Sequence, residues 1–370
     1  MEFITSLGWY VVPFILVLSV LVFVHELGHY LVARWNGVGI DVFSIGFGPE
    51  VFGWTDKVGT RWKVSWVPLG GYVKMVGDAD AASTPDHEGL QKLSDELKEK
   101  SLHHKSVGAR IAVSAAGPLA NYLFAVVVLA IMFVTYGQRF TSPIIDGVQE
   151  GGAAAVAGLQ AGDKITEIAG NHIERFEDIQ MIVHDNPEVP MKVIFERDGK
   201  VQEITITPKL SEITDNFGTV HKVGLLGVIG NKADFVKHSP VSAVGYALKE
   251  TWDITAQTLN GLWQVIVGMK SADGLGGPLR IAQMSGEVAQ NGIVSIVWFM
   301  ALLSINLGLL NLFPIPMLDG GHLVFYTIEA IRGKPVSENA QEWSYRVGFG
   351  LLVALMLFAT SNDIRQIFFK

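Results

Sequence analysis

Residues 3–29 read FITSLGWYVVPFILVLSVLVFVHELGH, an uncharged run from Phe3 to Val24 that ends in a His-Glu-x-x-His motif at His25, Glu26 and His29. At 1.5 Å per residue, an uncharged run of this length crosses the hydrocarbon of a bilayer as one helix. Histidines four residues apart lie about 40° apart on one helical face, so both imidazoles can reach a single metal ion. The adjacent Glu26 can take a proton from the water that such a metal activates. Ionisable groups at the end of a span cost about 2.5–3.5 kcal/mol each and need partners. A zinc ion (Zn2+) would supply one.

The composition around this stretch agrees with a membrane protein. The 370 residues are 49% hydrophobic and only 17% charged, with a mean hydropathy of +0.34. A formal charge of −8, with no basic cluster, argues against nucleic acid as a partner. The absence of cysteine excludes disulfides, thiol nucleophiles and thiolate metal sites. The N-terminus has no basic region and no small-residue cleavage site, so it does not read as a cleavable signal.

Four spans are expected: about Trp9 to Ala33, between Arg110 and Arg139, within Val288 to Leu318, and about Trp343 to Thr360. Basic residues near span ends set orientation. The N-terminal tail has none, whereas Arg34, Lys105 and Arg110 flank the first loop and Arg332, Lys334 and Arg346 the last. Both termini and the long segment between spans two and three are therefore expected outside the cytoplasm. The histidines and the end of span three both fall toward the cytoplasmic side.

The expected fold class is a polytopic α-helical membrane protein of about four transmembrane helices, with a β-hairpin on the cytoplasmic side and an inserted extracytoplasmic α+β domain. Residues 1–36 hold the first span and the metal motif, 37–106 a loop with the hairpin, and 107–137 the second span. The mixed domain is assigned to 138–212, a linker with an amphipathic helix to 213–280, the broken third span to 281–330, and a loop, the fourth span and a tail to 331–370. In the loop, Arg61 to Val67 alternates, Pro68-Leu69-Gly70-Gly71 interrupts, and Tyr72 to Val76 resumes, which reads as a hairpin turning at 68–71. The stretch from Asp78 to Lys105 reads as a short helix and linker, with His103 and His104 solvated. Val241 to Met269 is amphipathic and bears Trp252 and Trp263, so it is expected along the membrane surface.

A catalytic zinc takes three protein ligands and leaves one position open, so the two histidines need a third partner. The best candidate lies in Asn311-Leu312-Phe313-Pro314-Ile315-Pro316-Met317-Leu318-Asp319. Pro314 and Pro316 break the helix, and broken backbone at membrane depth is tolerated where it is buried or lines a watery cavity. Asp319 can then either enter that cavity as a ligand or cap a helix beginning at Gly320. Asn311 can cap the broken helix or hold a substrate backbone, and Asn121 is a polar group inside span two that needs a partner. His322 reads as a supporting or packing residue.

These motifs resemble the site-2 protease family of intramembrane zinc metalloproteases, in its bacterial RseP-like branch. The resemblance runs nearly the whole length, through Val24 to His29, Gly46-Phe47-Gly48, Pro68 to Met75, Ala116-Gly117-Pro118-Leu119-Ala120-Asn121 and Asn311 to Gly321. Gly158-Leu159-Gln160-Ala161-Gly162-Asp163 is similar to the signature of a bacterial PDZ domain, present once where the best-known members have two. The resemblance implies zinc on His25, His29 and Asp319, Glu26 as general base, and Asn311 against the substrate. It also implies a re-entrant β-element at Gly70 and Gly71 that pairs with an unwound substrate segment. The location implied is the bacterial inner membrane. The implied partners are single-span membrane proteins, such as anti-sigma factors or remnant signal peptides, whose trimmed ends meet the PDZ domain.

Three other readings compete: a membrane zinc protease of soluble peptides, a silent PDZ scaffold, and a transporter. A scaffold has no use for Glu26. A transporter with midplane sites usually carries paired interrupted helices, and this chain shows one interruption and no repeat.

Overall fold

The computed structural model describes residues 2–79, 89, 94–214, 220–230, 234–268, 272 and 276–368. The chain forms two compact units, one of residues 1–131 and 240–364, the other built on 132–239.

Among the described residues of the first unit, four helices are long and apolar enough to cross a membrane. They are α1 (Glu2–Trp35), α3 (Val107–Thr135), α8 (Ile293–Asn311) and α10 (Glu338–Phe368). The short α2 (Asp95–Lys100) lies in the loop before α3. Most of the charged stretch between Asp78 and Lys105 lies outside the described residues. The fourth helix is longer than the apolar pattern implies, because Glu338, Glu342 and Arg346 occupy its first turns.

Strands β1 (Ile40–Thr55) and β2 (Arg61–Met75) follow α1. The hairpin turns at Asp56–Thr60, not at 68–71 as the sequence suggests. The Asp56 carboxylate accepts the N–H groups of Val58 and Thr60 at 3.0 and 2.9 Å. Gly59 takes the left-handed backbone the turn needs, with φ +94°. The runs 61–67 and 71–75 do not pair with each other, since both belong to β2 and both pair with β1. Ile40 faces Met75 and Ile45 faces Gly71, while Glu50 faces Ser65 and Thr55 faces Arg61. An alternating pattern declares a strand but not its neighbour, which is why the turn was misplaced. One face of this sheet packs on α1, with Phe43 buried and stacked on Trp62 at 4.3 Å. Phe52, Trp54, Trp66 and Leu69 stay exposed, a composition suited to a membrane interface.

Helix α6 (Pro240–Ile266) does more than lie along a surface. Its stripe of Ala243, Ala247, Thr251, Ile254 and Thr255 is buried. Thr258 donates to Asn306 of α8 at 3.0 Å, and the Tyr122 and Thr255 hydroxyls meet at 3.3 Å. Small and hydroxyl residues let helices approach closely without unsatisfied groups. Helix α7 (Pro278–Gln290) was not foreseen. Its N-terminal N–H groups are capped by the buried Asp363 of α10, with Gly277 N at 2.8 Å and Leu279 N at 3.1 Å. Helix α9 (Asp319–Arg332) follows the break after α8 and ends at Gly333, whose φ of +70° makes it a left-handed cap.

The second unit is a β-rich α+β fold. Strands β5 (Lys164–Ile168), β6 (Asn171–His172), β7 (Met191–Arg197) and β8 (Lys200–Ile206) form a sheet in the order β6-β5-β7-β8. Helices α4 (Ala153–Ala157) and α5 (Phe176–His184) contribute Ala154, Phe176 and Ile179 to one core with Ile165, Val193 and Phe195. The domain extends past residue 212, where the sequence reading placed a linker. Strands β9 (Lys209–Thr214) and β10 (Val220–Leu225) pair as a hairpin. Strand β11 (Val228–Gly230) pairs with β4 (Ile145–Val148), and β12 (Asp234–Val236) pairs with β3 (Gln138–Phe140). The chain thus leaves the unit beside its point of entry. These closing strands are too short for alternation to reveal them.

One ion pair should govern the acid stability of this unit. Asp163, with its side chain 1% exposed, accepts Arg197 Nε and Nη2 at 2.6 and 2.7 Å and Gln160 N–H at 2.8 Å. Burial pushes its carboxyl up, but the hydrogen bonds from Arg197 and Gln160 outweigh burial and hold it below the ordinary 3.8. The stabilisation is therefore present above that ordinary value and is lost as pH falls through the lower folded one. Arg197→Met leaves the carboxylate buried without its partner and should destabilise the unit by about 3 kcal/mol at neutral pH. Hydrogen-exchange protection at Ile165 and Val193 in the full chain, corrected for intrinsic rates, reads this out. Unchanged protection would contradict it.

Candidate metal centre

The His-Glu-x-x-His turn near the end of α1 and the first residue of α9 meet in the first unit. His25 Nε2 lies 3.1 Å from Asp319 Oδ2, His29 Nε2 lies 3.3 Å from Asp319 Oδ1, and the two Nε2 atoms are 3.2 Å apart. These separations match the edge, about 3.3 Å, of a tetrahedron with bonds of 2.0–2.2 Å to zinc. Both histidines are buried. The Nδ1–H of His29 donates to the Val113 carbonyl at 2.8 Å, which leaves Nε2 as the lone-pair nitrogen toward Asp319. Among the described residues, these three alone form a group able to hold a metal ion.

Room for the ion comes from the neighbouring helix. A Cβ at Gly117 of α3 would stand 2.8 Å from His25 Nε2 and closer still to His29 Nε2. At Gly28, on α1, a Cβ would come within 2.7 Å of the Ala120 Cβ. The two glycines let α1 and α3 touch at backbone distance, with the imidazoles in the space a side chain at 117 would fill. Two imidazoles, one carboxylate and this cradle fit zinc.

A cavity of about 170 Å³ holds the three side chains together with Glu26, Asn311, Val73 and Met75. Glu26 accepts the Val73 N–H of β2. Gly71 permits that approach, since a Cβ there would lie 2.6 Å from Val22 Cγ1 and 3.3 Å from Glu26 Cγ. Gly70 has φ +130° and carries the Phe47 ring where a side chain would be. Gly70 and Gly71 thus have a packing role that the sequence reading did not include. Asn311 is the last residue of α8. Pro314 and Pro316 sit in the break between α8 and α9, where Gly321 and Gly348 pack against Ile315 and Pro316. Met317, with φ +82°, turns the chain just before Asp319, a backbone state that costs about 1–3 kcal/mol and needs support from its surroundings. Arg110 of α3 grips Glu329 of α9 at 2.6 and 2.9 Å and stacks over Tyr326, which ties the two helices together.

Asn121 faces His25, its amide 3.1 Å from Nδ1. His322 and Tyr326 line the cavity wall. His103, expected in solvent, instead pairs at 2.9 Å with Asp78, whose side chain is fully buried and also accepts Met75 N–H at 3.0 Å. That pair fastens the end of β2. Val113 and the Arg110–Glu329 pair were missed, because a carbonyl and a distant ion pair carry no metal-binding pattern, and Gly117 stood only as one residue of the 116–121 motif. The small residues at Ala116-Gly117 were the available signal for Gly117.

The chain matches the sequence profile of Peptidase family M50 over residues 13–355. It is 46% identical to a zinc metalloprotease candidate of Agrobacterium fabrum, over 97% of this chain and 96% of that one. It is 38% identical to Metalloprotease MmpA of Caulobacter vibrioides, over 96% of this chain and 95% of that one. The crystal structure of the PDZ domain of an SdrC-like protein of Listeria monocytogenes is 23% identical, covers 25% of this chain and 88% of its own, and has a TM-score of 0.20. A profile matched from the first span into the fourth, relatives matched end to end, and two buried histidines facing one aspartate converge: the chain belongs to Peptidase family M50, the site-2 protease family of zinc metalloproteases.

Proposed function

We propose that this enzyme hydrolyses a peptide bond in or near the transmembrane segment of single-span membrane proteins, with His25, His29 and Asp319 holding zinc and Glu26 acting as general base. The observation that carries this reading is the placement of the cluster. Its two histidines lie on a helix long and apolar enough to cross a membrane, beside a β-strand with one edge unpaired among the described residues.

Zinc held by His25, His29 and Asp319 would supply Lewis acidity, lowering the pKa of a water toward about 7 and polarising a carbonyl. Glu26, held at the cavity by Val73 N–H, takes the proton from that water and returns one to the leaving amine. A helical substrate must unwind before its carbonyl is accessible, and the freed backbone groups need new partners. Residues 71–75 pair with β1 on one side, and no strand pairs with their other edge among the described residues. Val73 and Met75 of this segment line the cavity, so an extended substrate added to that edge passes the metal ligands. Asn311, across the cavity, offers its amide to the same backbone. The basic residues at span ends support an orientation with this centre toward the cytoplasm and the termini and the inserted unit outside, where trimmed substrate ends would reach that unit.

The test is cleavage of a single-span substrate and of a soluble peptide by the purified full chain in detergent, with bound zinc measured in parallel. Cleavage of the membrane substrate alone, abolished by a chelator and restored by zinc, is expected. Preference for the soluble peptide would overturn the substrate class. Asp319→Ala should lose zinc and cleavage together, because it removes one of three ligands. Full zinc occupancy in that variant would remove Asp319 from the ligand set.

A further inference from the structure

We infer that Asn121 is a positioning residue of the metal centre: its side-chain oxygen accepts the Nδ1 proton of His25 and so keeps Nε2 of that ring available to the metal. The inference rests on the zinc reading of His25, His29 and Asp319. Asn121 is wholly buried on α3, one helical turn beyond Gly117. Its backbone carbonyl accepts the hydroxyl of the equally buried Ser304 at 2.9 Å, which ties this turn to α8. Its amide stands 3.1 Å from His25 Nδ1.

A neutral imidazole has one N–H and one lone pair. His25 Nε2 faces Asp319 Oδ2 and His29 Nε2, so the lone pair that binds metal belongs there and the proton belongs on Nδ1. An Nδ1–H can donate only to the oxygen end of the Asn121 amide. With the nitrogen end toward the ring, Oδ1 is buried with no hydrogen-bond partner. A half-turn of the amide, which hydrogen bonding alone decides, gives the oxygen its partner. His29 obeys the same rule, since its Nδ1–H donates to the Val113 carbonyl of the same helix. Helix α3 therefore supplies the acceptor behind both metal-facing imidazoles, one from its backbone and one from Asn121. Such partners fix ring orientation and raise ligand basicity, and their loss commonly lowers metal affinity 10–100-fold.

The experiment measures zinc affinity of the purified full chain by competition with a chromophoric chelator, independent of turnover. Asn121→Leu keeps the branched shape and heavy-atom count but removes the acceptor, and a drop of about 10–100-fold is expected. Asn121→Asp restores an oxygen at the same place and should bind zinc close to wild type. A role as an amide donor predicts that Asp and Leu weaken binding alike. That result, or wild-type affinity in Asn121→Leu, overturns the inference. If Asn121→Leu does not fold, loss of affinity in Asn121→Asp is sufficient to overturn it. Zinc absent from the wild-type chain would remove the metal reading itself. Zinc present in wild type, lost in Asp319→Ala and unchanged in Asn121→Leu would remove only the role of Asn121.

Discussion

Glu26→Gln should retain zinc and lose cleavage by about 10²–10⁴-fold, the range attributable to a positioned general base. The amide keeps the shape of the carboxylate and leaves His25, His29 and Asp319 untouched, so the metal content of the variant should equal that of wild type. Its side chain cannot accept a proton from water or pass one to a leaving amine. Zinc content and single-turnover cleavage of a membrane substrate, measured on the same preparation, separate the two effects. Cleavage within a few-fold of wild type would assign the base elsewhere. Loss of zinc would show that the carboxylate charge, not its basicity, is what the site requires.

Gly117→Ala should abolish zinc binding while leaving the helices intact. In a helix interior, alanine is favoured over glycine by about 0.5–1 kcal/mol, so α3 itself gains from the change. The added methyl nevertheless stands 2.8 Å from His25 Cε1 and Nε2 and presses on His29 Nε2. Both rings must turn away from Asp319, or α3 must withdraw from α1, and either movement opens the ligand set. A zinc affinity lowered at least a hundredfold, with unchanged helical circular dichroism, is the expected result. Wild-type zinc binding and cleavage would show that the helices separate at no cost to the site.

How much of this was legible depends on the range of each interaction. The first span, the shared face of His25 and His29 and the break at Pro314 and Pro316 are local, and spacing within one segment reveals them. Asp319 was named from the sequence as one of two alternatives, ligand or helix cap. It begins α9 and also faces both histidines, so its place in the helix did not decide its role. The turn of the β-hairpin was misplaced because Pro68 and Gly70 look like a turn, whereas Asp56 and Gly59 make it. The extent of the second unit was underestimated because its closing strands pair with residues at its beginning, beyond the reach of any local window.

The sequence by itself determined that the chain has four long apolar segments, that one carries a His-Glu-x-x-His turn, and that a broken helix with an aspartate follows far downstream. Periodicity and charge decide such features because they depend on the face a residue occupies within its own element. Only the tertiary structure decided that the turn and the aspartate meet within 3.1–3.3 Å, that Gly117 clears the space for them, and that Val113 and Asn121 stand behind the two rings. Those facts belong to the packing of α1, α3 and α9 against one another. Packing is set by the closest approach of particular side chains, and neither the partner of a carbonyl nor the neighbour that a glycine clears can be read from hydropathy or spacing.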